Sequence, residues 1–204
     1  MRTPGLYAVA IFPITFLVLL SGIAEAQTLY QEEEIHVHNL PTLTAESHDP
    51  VDVLLTAVAT LIHDTEVCCS EDSALHDSLM AADPESLRDV ARRLDGRHLL
   101  SDGRPITVTA EHSAVDQAGS MSLINSVLDQ RGALLRWNSR LYVVEGVSYL
   151  RIVDNMSGQT AYSIHKLFLW DTRFSDARRN VVFDRTIDDV TKLEGLLFVR
   201  WKTQ

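Results

Sequence analysis

Apolar positions recur along this chain with two different periods, and the change falls near residue 132. Before it, the spacing is helical. Val51, Leu54, Leu55, Val58, Leu61 and Ile62 form one stripe at intervals of three and four, which predicts an amphipathic helix. Asp49 suits its N-cap, Pro50 its first position, and Asp52 the positive end of its dipole. A shorter helix is expected over 70–80. A third is punctuated by Asp83 as cap and Pro84 as first residue, carries Leu87, Val90, Ala91 and Leu94 on one face, and stops at Gly96. A fourth is expected over 119–130, ending before Gly132. Short strands over 98–100 and 106–110 flank the turn Ser101-Asp102-Gly103-Arg104-Pro105.

After residue 132 the pattern is that of strands. Residues 133–137, 141–153, 161–170, 180–184 and 196–201 are rich in aliphatic, β-branched and aromatic side chains. Asn155-Met156-Ser157-Gly158 reads as a hairpin connection between two of them. Helices gathered in the N-terminal half and strands in the C-terminal half predict an α+β fold, with the helices packed on a mainly antiparallel sheet. No internal repeat, low-complexity tract or interdomain linker is visible, so residues 50–204 are expected to form a single domain. The polar stretch 27–49, with Glu32-Glu33-Glu34, several histidines and Pro41, reads as an extended lead-in.

The first 26 residues stand apart. Arg2, an apolar run over 6–20 and Ala24-Glu25-Ala26 follow the order of a secretory signal peptide with its cleavage site. The run is shorter than the ~20 residues that span a bilayer and contains Pro13. No Cys follows it to accept a lipid. The expectation is an exported protein, periplasmic or secreted, with no membrane attachment after cleavage.

Charge narrows the partners. The chain carries a formal net charge of −10, divided unevenly: residues 27–130 hold 19 acidic and 5 basic side chains, whereas 131–204 hold 8 acidic and 12 basic. The overall sign argues against nucleic acid, which demands cationic surface to displace counterions from phosphates. A local basic face remains in the second half, around Arg173, Arg178, Arg179 and Arg185. Cys68 and Cys69 are the only cysteines and are neighbours. Adjacent Cα atoms lie closer than an unstrained disulfide wants, and CxxC metal spacing is absent. Asp64, Glu66, Glu71 and Asp72 crowd the pair and oppose thiolate formation there. His36-Val37-His38 has the spacing of two strand ligands beside the three glutamates, but on a solvated leader it lacks rigid support; no metal site and no cofactor are assigned. Asn155-Met156-Ser157 matches a glycosylation acceptor that the hairpin turn already explains.

The densest mixture of charges runs from Asp171-Thr172-Arg173 to Arg178-Arg179, directly after a strand. A sheet end projects such side chains from a rigid base. With no complete catalytic set in view, the leading expectation is a non-catalytic binding domain, with Arg173, Arg178 and Arg179 meeting a peptide or protein partner.

The order of elements also resembles that of papain-like cysteine peptidases of the bacterial double-glycine type. Cys69-Ser70-Glu71-Asp72-Ser73-Ala74-Leu75 opens a helix, and Ile124-Asn125-Ser126-Val127-Leu128 leads past Gly132 into Ala133-Leu134-Leu135. Arg140-Leu141-Tyr142-Val143-Val144-Glu145-Gly146 stands where the family has H-x-V-V-V-x-G, and Leu169-Trp170-Asp171-Thr172 follows. The resemblance covers residues 67–184 and implies a papain-like fold. As an alternative function it implies a cysteine hydrolase or peptidase using Cys69, with His63 or His165 as base and Asp171 as orienting acid. The sequence departs from the family at several of its motif positions. Arg140 occupies the position of the catalytic His and cannot act as a base. His63 stands at the position of the usual Gln, glycine does not follow Cys69, and Thr172 replaces Pro.

Overall fold

The computed structural model describes residues 28–62, 73–99, 103–154 and 157–203. His63, Cys68 and Cys69, the 1–26 leader, and part of the two turns at 101–105 and 155–158 lie outside these. Among the described residues the fold is α+β, with four α-helices and an eight-stranded antiparallel sheet.

The helices are α1 (Pro50–Ile62), α2 (Ala74–Met80), α3 (Leu87–Leu94) and α4 (Gln117–Leu128). Helix α1 starts as its sequence dictates: Asp49 Oδ1 accepts the Val51 N–H at 2.9 Å, and Leu54, Val58 and Ile62 are fully buried. Helix α3 begins later than Asp83-Pro84 suggest. Ser86 is the cap that wins, its Oγ accepting the Asp89 N–H, while Asp83 Oδ1 accepts the Glu85 N–H in a preceding turn. Asp89 Oδ2 closes that turn by accepting the Asp83 N–H at 3.0 Å. Helix α4 starts two residues earlier than expected because Asp116 caps it, accepting from the Gly119 N–H at 2.8 Å.

The strands are β1 (Leu29–His36), β2 (Gly96–Leu99), β3 (Pro105–Ser113), β4 (Ala133–Trp137), β5 (Arg140–Val153), β6 (Thr160–Trp170), β7 (Asn180–Asp184) and β8 (Leu193–Thr203). They pair in the order β2-β3-β8-β4-β5-β6-β7. β5 is the spine. Its first residues pair with β4 and the remainder, Gly146 to Val153, with β1 on the same edge, while β6 runs along its other edge. The polar 29–36 segment is therefore a strand of the sheet and not a loose leader. Three strands precede residue 132, and α4 falls past the chain's midpoint, so the division into a helical half and a strand half is incomplete.

The sheet is covered on both sides. Ala133, Leu134, Leu135 and Arg136 are all buried, which a strand achieves only when both of its faces are covered. Arg136 points toward the turn before α3, where its Nη2 donates to the Pro84 carbonyl. Trp137, one residue on, faces the opposite way and meets Phe183 edge-on at 5.3 Å. That second side carries Leu123, Ile124 and Val127 of α4. A β-bulge at Glu145 brings Gly146 against β1, where a Cβ would stand 2.4 Å from His36 Nδ1, so only glycine fits.

Candidate functional site

The charge-dense sheet end is built from short-range carboxylate clamps. Asp171 ends β6 only 2% exposed, and Arg173 folds back on it: Nε donates to Oδ1 at 2.7 Å and Nη2 to Oδ2. This bond raises the Arg173 pKa above the ordinary arginine value. Asp176 accepts in the same manner from Arg178, which lowers its own pKa and raises that of Arg178. Arg178 also lies over the Phe174 ring at 4.5 Å.

Arg179 behaves differently. It is 5% exposed, stacks 4.4 Å above Trp170, and donates through Nη1 to the Leu43 carbonyl at 2.8 Å. Burial lowers its pKa, against the opposing charge of Glu145, whose own pKa burial raises. Arg179 pins the 37–49 segment to the sheet, beside the Ala45 N–H bond to Thr172 O at 2.8 Å. Of the three arginines read as a contact surface, Arg178 alone is exposed.

The residues that the peptidase resemblance implies are not gathered. His165 is the extra residue of a β-bulge in β6, six positions from Asp171 along the same strand. At ~3.3 Å per residue that is roughly 20 Å, far beyond hydrogen-bond reach. Cys69 and His63 lie outside the described residues. Arg140 starts β5 at the tight turn Asn138-Ser139, both of which have positive φ (52° and 59°), as a two-residue hairpin requires. In the His36-Val37-His38 segment, the His36 ring bonds Glu34 Oε1 at 3.0 Å and leans on Phe168, whereas Val37 is buried. Among the described residues no group of three or more His, Cys, Asp or Glu gathers at metal-binding range. Nor is any described helix long and apolar enough to cross a membrane.

The best-formed cavity lies elsewhere, under the first turns of α4. It holds about 300 Å³ and is walled by Leu123 of α4, Ile164 and Leu167 of β6, Phe183 of β7, and Leu193 and Leu196 of β8. Four polar groups meet at it. Asp116 and Ser120 belong to the α4 cap, and the Ser120 hydroxyl donates to the Asp116 carbonyl at 2.8 Å. Ser163 and Arg185 stand opposite, with Arg185 Nη1 donating to Ser163 Oγ at 3.3 Å. Arg185 is exposed and has no carboxylate partner among the described residues.

The segment beside the cavity is stitched rather than loose. Asp184 Oδ1 accepts from the Thr186 N–H and hydroxyl, Asp188 Oδ2 from the Asp184 N–H, and Asp189 caps the 3₁₀ turn Val190–Lys192. Ile187, 83% exposed, and Val190, 40% exposed, are left apolar near the cavity. No sequence motif marks this site, because its walls come from four elements scattered over residues 115–196. Arg185 alone stood out in the sequence, as a member of the basic group in the second half.

Compared with known proteins, the chain matches no family model, no curated protein and no solved structure, so its own geometry carries the functional reading.

Proposed function

We propose that this chain is an exported, non-catalytic binding domain whose ligand is a small, largely apolar molecule carrying one acidic group. The observation that carries the reading is the cavity under α4. Apolar walls with a few convergent polar groups are the usual make-up of a small-molecule site, and 300 Å³ falls at the small end of that range. The acidic group is assigned to Arg185, a planar donor whose guanidinium meets a single hydroxyl among the described residues, and the apolar body to Leu123, Leu167 and Phe183. Asp116 lies across the cavity with an oxygen already occupied by the α4 cap, which favours a single anionic end over two.

Anilinonaphthalene sulfonate has the required character, an aromatic body with one anionic group, and its fluorescence reports apolar binding. Titration of the full chain should show one saturable site, displaced by octanoate. Arg185→Ala should weaken it about tenfold, the scale of one charge-assisted hydrogen bond. Ser120→Phe should fill the cavity and abolish binding. Unaltered titrations for both variants would remove the cavity from consideration.

A further inference from the structure

Arg136 is a buried cation with no carboxylate partner among the described residues. It occupies β4 in the middle of the sheet, is 8% exposed, and uses Nη2 on the Pro84 carbonyl. Its Nε is buried without a hydrogen-bond partner, and among the described residues no carboxylate pairs with it. Burying a guanidinium on these terms is costly, and a fold tolerates it where something else meets the charge.

Arg136 lines a cleft of about 80 Å³ together with His48, Glu85, Arg140 and Arg173. Arg173 is engaged by Asp171, but Arg140 is exposed and has no ion-pair partner among the described residues. His48 directs Nε2 toward the Arg173 carbonyl at 3.3 Å and meets Phe174 edge-on. Among the described residues Glu85 is the only carboxylate lining the cleft. Three arginines lining one small space run against the character of a chain whose net charge is −10. This space lies on the α1–α3 side of the sheet, apart from the cavity under α4.

We propose that this cleft binds a phosphate-class oxyanion, either free phosphate or the terminal phosphoryl group of a larger molecule, with Arg136 and Arg140 as its donors. A carboxylate has two oxygens, which one forked guanidinium can satisfy; a tetrahedral oxyanion accepts from several directions at once. Arg136 approaches from within β4, whereas Arg140, the register partner of Trp137 at the sheet end, borders both this cleft and the neighbouring one lined by Trp137, Tyr142 and Arg178, so the two supply separate directions. A small oxyanion also fits the size of the cleft.

The test is calorimetric and phosphorus-NMR titration of the full chain with inorganic phosphate, phenyl phosphate and, as a carboxylate control, acetate. Saturable phosphate binding with a Kd of about 1 mM or tighter is expected, with acetate at least tenfold weaker. Phenyl phosphate binding more tightly than phosphate assigns the group to a larger ligand; the reverse order assigns it to the free ion. Arg136→Met should abolish binding. Arg140→Ala, a change at an exposed residue that leaves the core untouched, should weaken it about tenfold. Absence of saturable binding, equal affinity for acetate, or native affinity in Arg140→Ala would overturn the proposal. Binding of the naphthalene sulfonate under α4 should be unchanged in Arg140→Ala, so the two sites stand or fall separately.

Discussion

Replacing Gly119 with alanine sets two opposed effects against each other at the wall of the α4 cavity. Gly119 is the third residue of α4, and its N–H is held by the Asp116 cap at 2.8 Å. In an unobstructed helix the change stabilises by about 0.5–1 kcal/mol, because alanine loses less backbone freedom on folding. Here the added Cβ would stand 2.0 Å from the Ala114 carbonyl oxygen and 3.0 Å from Ser113 Oγ. Ordinary non-bonded contact lies near 3.5–4 Å, so the overlap is roughly 1.5 Å. The serine can rotate away; the carbonyl belongs to the backbone leaving β3 and cannot. Relief requires moving the first turn of α4 or the end of β3, and overpacking of this kind costs about 1–3 kcal/mol. Subtracting the helical gain leaves a loss of about 1–2 kcal/mol, or a Tm lowered by about 2–8 °C for a chain of this size. Calorimetric melting of the two proteins measures it. A Tm equal to or above that of the native chain would show instead that the helical gain prevails and that the Ala114 carbonyl is free to yield. Asp116 and Ser120 flank Gly119 and line the cavity, so the same displacement should weaken naphthalene sulfonate binding.

Arg173→Ala should destabilise the fold by about 3–5 kcal/mol in denaturant unfolding, because it leaves the buried Asp171 carboxylate unpaired. Adding Asp171→Asn should recover part of the loss; a double variant no better than the single one would contradict the pairing. Tyr149 is buried and gives its hydroxyl to Glu33, and burial first, then this bond, push its pKa up to about 12. The folded state thus holds its proton longer than the unfolded chain. The associated stability is complete below the ordinary tyrosine value of 10.0 and is lost as pH rises through about 12. Ultraviolet titration of phenolate should show a late component that is missing in Tyr149→Phe and moves to lower pH in Glu33→Gln. A late component that survives Tyr149→Phe would place it on another tyrosine.

Where the determinants are local, the sequence was legible. Strands 133–137 and 180–184 match β4 and β7 residue for residue, and α1 begins at its Asp49-Pro50 signal. Two local signals competed before α3, and hydrogen-bond geometry favoured Ser86 over Asp83. Strand β1 was not legible as part of the sheet. Only its edge pairing with β5, more than a hundred residues away, makes a strand of Leu-Tyr-Gln-Glu-Glu-Glu-Ile-His, and most of its side chains stay exposed. The candidate site suffered from a related limit. Charge density at 171–179 shows in the sequence, but burial does not, so Arg179 under Leu43 and the exposed Arg178 look alike there. Arg136 carries the same lesson in reverse. In Ala-Leu-Leu-Arg-Trp it reads as a polar interruption of a strand, and only a sheet covered on both sides makes it a buried charge.

The two proposed sites are kept apart by the register of one short strand. Leu134 and Arg136 face the side covered by α1 and α3, while Leu135 and Trp137 face α4, because side chains alternate along β4. A slip of one residue would exchange these sets, sending Arg136 into the apolar side and Trp137 toward the polar cleft. Three features hold the register at the Asn138-Ser139 turn. The positive φ of both residues sets a two-residue connection, which fixes β4 against β5. The Ser139 N–H donates to Glu194 Oε1 at 2.7 Å and the Asn138 N–H to the Lys192 carbonyl at 3.0 Å, which fix the turn against the start of β8. The irregularity between Arg136 and Trp137 in the β4–β8 pairing absorbs the mismatch between these two demands. Asn138 and Ser139 thus bear on both sites through the strand whose alternation separates them: a cationic cleft on one side of the sheet, an apolar cavity on the other.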